Sequence, residues 1–110
     1  MNTSRQYETF ISYSRQHKEF ALEFARGLKS SDYSVWLDQI DIPTGARWDD
    51  EVERALRECK IFLIILTPAS VSSENVKDEI GYAIDHGKHI LPVLREECAI
   101  PLRLRRFQYV

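Results

Sequence analysis

A chain of 110 residues is long enough for one domain with a real core and too short for two. With 44% apolar and 29% charged residues it has an ordinary globular composition, which excludes a disordered or membrane-embedded chain. The net charge of -2 gives no general pull towards nucleic acid or anionic lipid, so neither is an expected partner. Cys59 and Cys98 sit in no C-x-x-C pattern and read as free thiols of a reducing compartment, although two cysteines leave a disulfide open. The opening residues hold no apolar stretch of signal-peptide length, and no run approaches a membrane span. The expectation is a soluble cytoplasmic domain.

In chain order, Tyr7 to Tyr13 is aromatic and β-branched and suits a first strand, and Ser14 can cap the helical segment after it. From His17 to Ser30, Phe20, Ala21, Phe24, Ala25 and Leu28 fall on one helical face. A turn at Ser30-Ser31-Asp32 leads to a second strand, Tyr33 to Leu37, and then to a loop from Asp38 to Gly45 rich in turn formers. A second helix carries Trp48, Val52, Ala55, Leu56 and Cys59, with Asp49, Asp50 and Glu51 in its first turn, where the helix dipole favours them. Lys60 to Leu66 is the longest apolar run and shows no polar alternation, as expected of a strand buried on both faces in a parallel sheet. Thr67-Pro68 stops it, a serine-rich turn comes next, and a helix bearing Glu79 runs to Gly87 with His86 and Lys88 as a carboxyl-terminal signal. His89 to Leu94 is a fourth strand, with Pro92 hinting at an edge or bulge. Arg95 to Arg106 is irregular, with room for a short helical turn, and Phe107 to Val110 reads as a fifth strand.

Strand and helix alternate throughout, so the fold class is α/β with a mostly parallel sheet and right-handed crossovers. The chain stops on a strand with no helix to cover it, which suggests that residues 1–110 are one domain of a longer protein with a partner domain beyond Val110. Ligands of open parallel sheets bind just past the carboxyl ends of the strands. The handover from Leu66 to the helix of Glu79 is therefore the first place to look.

Several familiar devices are absent. The chain has neither G-x-x-x-x-G-K-[ST] nor G-x-G-x-x-G, and no G-x-S-x-G nucleophile turn. His86 and His89 straddle Gly87 and share no helix face, so solvated histidines are favoured over a zinc site. On a helical wheel Val76, Ile80, Ala83 and Ile84 form an apolar arc, and Glu79 lies on its flank, at the rim between core and water. A carboxylate there can be ionised at neutral pH, since its unperturbed pKa is about 4.3, and can accept hydrogen bonds from a ligand's hydroxyls. Pattern alone favours a solvated structural glutamate.

Five short motifs in register change that balance. Phe10-Ile-Ser-Tyr-Ser14, Val35-Trp-Leu-Asp38, Ile42-Pro-Thr-Gly45, Phe62 to Pro68, and Ser73-x-Asn75-x-x-x-Glu79 together resemble a Toll/interleukin receptor (TIR) domain of bacterial type. The resemblance covers nearly the whole chain and implies a flavodoxin-like five-stranded parallel sheet with helices on both faces, the last helix missing here. Some members of the family are adaptors that associate through TIR–TIR contacts. Others cleave NAD+, releasing nicotinamide and leaving ADP-ribose or a cyclic product, with NAD+ as substrate and no metal or cofactor. Their essential residue is a glutamate four positions after a tryptophan, which maps onto Glu79, with Asn75 in the tryptophan's place.

By the same resemblance Ser14 and Arg15 would line the nucleotide side of the pocket, Arg15 as a phosphate partner. The Asp38 to Gly45 loop, the family's BB loop, would close over it, with Pro43 and Gly45 shaping the turn. Ser73 has two readings, substrate contact or helix cap, and Trp36 two, core or pocket wall. Asp38 reads rather as a turn-capping residue, and Arg103, Arg105 and Arg106 as a solvated surface rather than an interface. Two functions are implied: an NAD+ glycohydrolase acting with Glu79, activated by self-assembly in signalling or anti-phage defence, or a non-catalytic TIR–TIR scaffold, for which Asn75 argues.

Overall fold

The computed structural model describes residues 8–37 and 48–107. The Asp38 to Gly45 loop, with Pro43 and Gly45, lies outside them, as do the last three residues of the expected fifth strand.

The apolar run at 60–66 forms the strand β3 (Ile61–Leu66). It lies between β1 (Thr9–Ser12) and β4 (His89–Leu94), and β2 (Val35–Trp36) pairs with the other side of β1. All three pairings are parallel, giving the order β2-β1-β3-β4 among the described strands. Among the described strands β4 lies at an edge, with Pro92 opposite Ile64. The chain moves to one side after β1 and to the other after β2, so the strand order reverses between β1 and β3. In an open parallel sheet that reversal opens a crevice at the carboxyl ends of the two strands.

Strand periodicity divides the core in two. On one face Ile11, Val35, Leu37, Leu63 and Ile65 pack with Ala21 and Ala25 of α1 (Lys18–Ser30). On the other, Phe10, Trp36, Phe62, Ile64 and Leu66 meet α2 (Trp48–Glu58) and a later helix, α4 (Glu74–Asp85). Phe10 is the cross-strand neighbour of both Trp36 and Phe62, and its ring stacks on theirs at centroid distances of 5.1 and 5.8 Å. Full burial of each such side chain contributes about 1.5–3 kcal/mol. Lys88 donates to the carbonyls of Arg57 and Cys59 at 2.7 Å each, satisfying main-chain acceptors at the carboxyl end of α2.

The serine-rich segment after β3 differs from the expected turn. It is a short helix, α3 (Pro68–Ser72), closed by a capping box in which Thr67 Oγ1 accepts from the Ser70 amide at 3.0 Å and Ser70 Oγ accepts from the Thr67 amide at 2.9 Å. Pro68 starts this helix rather than merely ending the strand, because a proline lacks only a donor that the first turn does not use. The other expected helices stand. Arg15–His17 is a 3-10 turn ahead of α1, α4 ends at Asp85 with Gly87 at φ +68°, and a second 3-10 turn covers Leu102–Leu104. Phe107 falls in a bend. No helix among the described residues is long and apolar enough to cross a membrane.

Candidate functional site

β1 places a polar side chain where its neighbours are apolar. Ser12 lies two residues beyond Phe10, so it faces α2 and α4, and it is buried. Its hydroxyl donates to Glu79 Oε1 at 2.7 Å, across 67 residues of sequence. Glu79 itself is half-buried on α4, whose buried stripe of Val76, Ile80 and Ala83 is the apolar arc read from the helical wheel. The carboxylate therefore stands at the rim of the core, with one oxygen tied to the end of a strand. A hydrogen bond to an ionised acceptor is about twice as strong as a neutral one and fixes the side chain's direction.

Two successive caps set that direction from the main chain. After the capping box of α3, Ser73 Oγ accepts from the Val76 amide at 3.3 Å and starts α4. This is the cap reading of Ser73. Such a cap stabilises a helix by about 0.5–2 kcal/mol.

Glu79 opens onto a cleft of about 390 Å³, within the range of small-ligand pockets. Tyr13 and Arg15, just past β1, form one wall, and Val52, Glu53 and Leu56 of α2 form another. Ser73, Asn75, Val76, Asp78, Glu79 and Tyr82 close it from the α4 side. The cleft thus sits at the reversal of strand order, and three carboxylates and one guanidinium line it. Arg15, Ser73, Asn75 and Glu79, all named from sequence, meet here. Ser14 does not: its buried hydroxyl accepts from the Gln16 amide at 3.2 Å and caps the 3-10 turn, and it is not among the cleft's lining residues. Trp36 is core on one side, stacked on Phe10, and also borders a small cavity beneath Glu79.

Sequence reasoning missed Ser12. The signal available was a lone serine at the core-facing phase of an otherwise apolar strand. Tyr82, which stacks on His86 at 3.9 Å, was missed as well. The histidines do not converge: His86 Nδ1 lies 2.9 Å from the Tyr82 carbonyl, and His17 lies 3.6 Å from a carboxylate oxygen of Glu96. The arginines beyond β4 are engaged within the chain. Arg103 bonds Asp85 at 2.7 Å, Arg105 donates to the Ile100 carbonyl at 3.2 Å, and Arg106 lies over the Phe107 ring. Both cysteines are free. Burial pushes the Cys59 thiol up, with Lys88 pulling partly back. Partial burial and then the carboxylates of Glu97 and Glu96 push the Cys98 thiol up.

Comparison with known proteins agrees with this architecture. A Sinorhizobium fredii protein, y4cD, is 28% identical over 93 residues, spanning 84% of this chain and 14% of its own length. NAD(+) hydrolase TcpA of a Theionarchaea archaeon is 26% identical over 98 residues, spanning 84% of this chain and 30% of its own. The chain therefore spans less than a third of either relative. Among solved structures, the TIR domain of the Toll-related receptor TRR-2 from Hydra magnipapillata superposes with a TM-score of 0.83 at 16% identity, covering 94% of this chain and 82% of that one. The TIR domains of the activated Roq1 resistosome give 0.69 at 17% identity, covering 80% and 57%. At these identities the structural likeness speaks for the fold. Residues 9–110, nearly all of the sequence and all four described strands, match the TIR domain family, and the chain belongs to it.

Proposed function

We propose that this TIR domain cleaves the bond between ribose and nicotinamide in NAD+, releasing nicotinamide and leaving ADP-ribose or a cyclic ADP-ribose product. The observation that carries the reading is the Ser12–Glu79 hydrogen bond at the mouth of the cleft. It holds a carboxylate in a fixed direction, past the carboxyl ends of the strands, beside a cavity of ligand size. The 26% identity to a named NAD(+) hydrolase supports the same chemistry.

Breaking this glycosidic bond builds positive charge on the ribose, an oxocarbenium-like centre. A pre-positioned carboxylate stabilises that charge as it forms and accepts hydrogen bonds from the ribose hydroxyls. The leaving nicotinamide departs as a neutral amine from a cationic ring, so no strong general acid is required. Water attack gives ADP-ribose, and attack by the substrate's own adenine gives a cyclic product. In this assignment Glu79 is the catalytic residue and Arg15 faces the diphosphate. Ser73 and Asn75 border the substrate. Self-association through TIR–TIR contacts would switch the domain on, as befits a signalling or anti-phage defence module in the cytoplasm.

Asn75 favours a second reading. It lines the cleft at the place where, by the family resemblance, the catalytic motif has a tryptophan, and a pocket without that aromatic wall suits a scaffold that only docks other TIR domains. Incubating the purified domain with NAD+ at high protein concentration decides between the two. Nicotinamide release that Glu79→Ala abolishes supports the enzyme. Self-association without release, or release undiminished in Glu79→Ala, overturns it.

A further inference from the structure

Trp36 carries a polar atom that neither the core nor the cleft accounts for. The residue is buried at 1% exposure, yet its indole N–H has no hydrogen-bond acceptor among the described residues. An unpaired buried donor costs about 1–3 kcal/mol, so native interiors provide a partner for it. Beside it is a cavity of about 20 Å³, bordered by Phe10, Ile11, Tyr13, Trp36, Val52 and Glu79. That volume admits one water, since about 10–15 Å³ suffices, and apolar voids of this size stay dry unless polar groups face them. Here Trp36 on β2, which carries the unpartnered donor, and Glu79 on α4, which carries a carboxylate, border the same small space. The side chains of Phe10, Ile11 and Val52 offer no hydrogen-bonding atoms, and of the other lining residues besides Trp36 and Glu79 only Tyr13 has one, its hydroxyl.

We infer that this cavity is a single-water site linking the Trp36 indole N–H to the Glu79 carboxylate. The water accepts from Nε1–H and donates to a carboxylate oxygen, complementing the direct bond from Ser12. Glu79 is then held from two adjacent strands: by Ser12 of β1 and, through the water, by Trp36 of β2. Trp36 is a positioning residue, and this catalytic consequence rests on the proposed NAD+ cleavage. The hydration site itself does not.

The experiment uses nuclear magnetic resonance on the whole chain. In the wild type, the indole Hε1 of Trp36 should show a direct cross-relaxation contact with a long-lived water. In Trp36→Phe that bridge loses its donor, and the titration midpoint of the Glu79 carboxyl carbon should rise by about half a unit, because a hydrogen bond favouring the charged form is gone. The other titratable groups that line the same cleft or cavity, Arg15, Glu53, Asp78, Tyr82 and Tyr13, are the same in both proteins, so the comparison isolates residue 36. If Trp36→Phe does not fold, benzothienylalanine at position 36 keeps the bicyclic shape and removes only the N–H. Nicotinamide release should fall about tenfold in the same variant with KM nearly unchanged. A Trp36 Hε1 without water contact, or a Glu79 midpoint that does not move, overturns the site. A coupled midpoint in a domain that releases no nicotinamide upholds the water and overturns only the catalytic role.

Discussion

The two faces of one sheet are built from alternate residues of the same strands, and they differ in kind. On the α1 face, Ile11, Val35, Leu37, Leu63 and Ile65 close over Ala21 and Ala25 with aliphatic side chains. On the α2 and α4 face, Phe10, Trp36 and Phe62 make an equally buried aromatic row, but Ser12 and the Trp36 N–H interrupt it and the cleft opens above. The first face is stability and little else. On the second, buried polar groups are tolerated because each has a partner or a cavity beside it. A parallel sheet thus keeps most of its packing and its chemistry apart by parity, although Tyr13 of the α1-side cluster reaches the cleft past the end of β1.

Truncation on the closed face should give the largest loss of stability. Ile65→Ala removes a side chain that is 1% exposed and should destabilise the fold by about 2–5 kcal/mol in urea titration, while the remaining folded protein keeps its turnover. On the open face the balance reverses. Ser12→Ala should cost only about 1–2 kcal/mol, because Glu79 is half-buried and water replaces part of the lost bond, yet nicotinamide release should fall about tenfold. If both substitutions lowered stability and left release alike, the division between the faces would fail.

Ser73→Ala sharpens the same contrast at the cleft's edge. As the cap of α4 it should lose about 1 kcal/mol in thermal unfolding, with KM for NAD+ within about twofold of wild type. A large KM change at unaltered stability would make Ser73 a substrate contact instead. The smallest effect concerns the thiols. Cys59 is buried and its thiol is pushed up, so the folded state holds its proton where the unfolded state has begun to lose it. Stability from this group is complete at neutral pH and declines as pH climbs through the ordinary thiol range. An aromatic disulfide reagent at neutral pH should label the partly exposed Cys98 first and Cys59 only as the chain unfolds.

Periodicity made most of this legible. The run at 60–66 had to be a doubly buried strand, the wheel of α4 placed Glu79 on a flank, and the TIR motifs fixed the order of parts. The reading of 67–73 stopped short because a proline after a strand also serves as a terminator. Thr67-Pro-Ala-Ser70 in fact has the cap, first-position proline and reciprocal serine of a helix start. Ser12 was hidden for another reason: its partner lies 67 residues away, and a serine in a strand has no local signature for a long-range bond. Ser14, next to the cleft in sequence, accepts from the Gln16 amide and caps the local 3-10 turn, a contact that the motif alone does not show.

The most direct measurement is nicotinamide release, under assembling conditions, by Glu79→Gln. This change keeps the side chain's shape and its contact with Ser12 while removing the negative charge. The account predicts a folded domain, unchanged by circular dichroism, whose release rate is at least about a hundredfold below wild type. A Glu79→Gln protein that turns over NAD+ at the wild-type rate would contradict it.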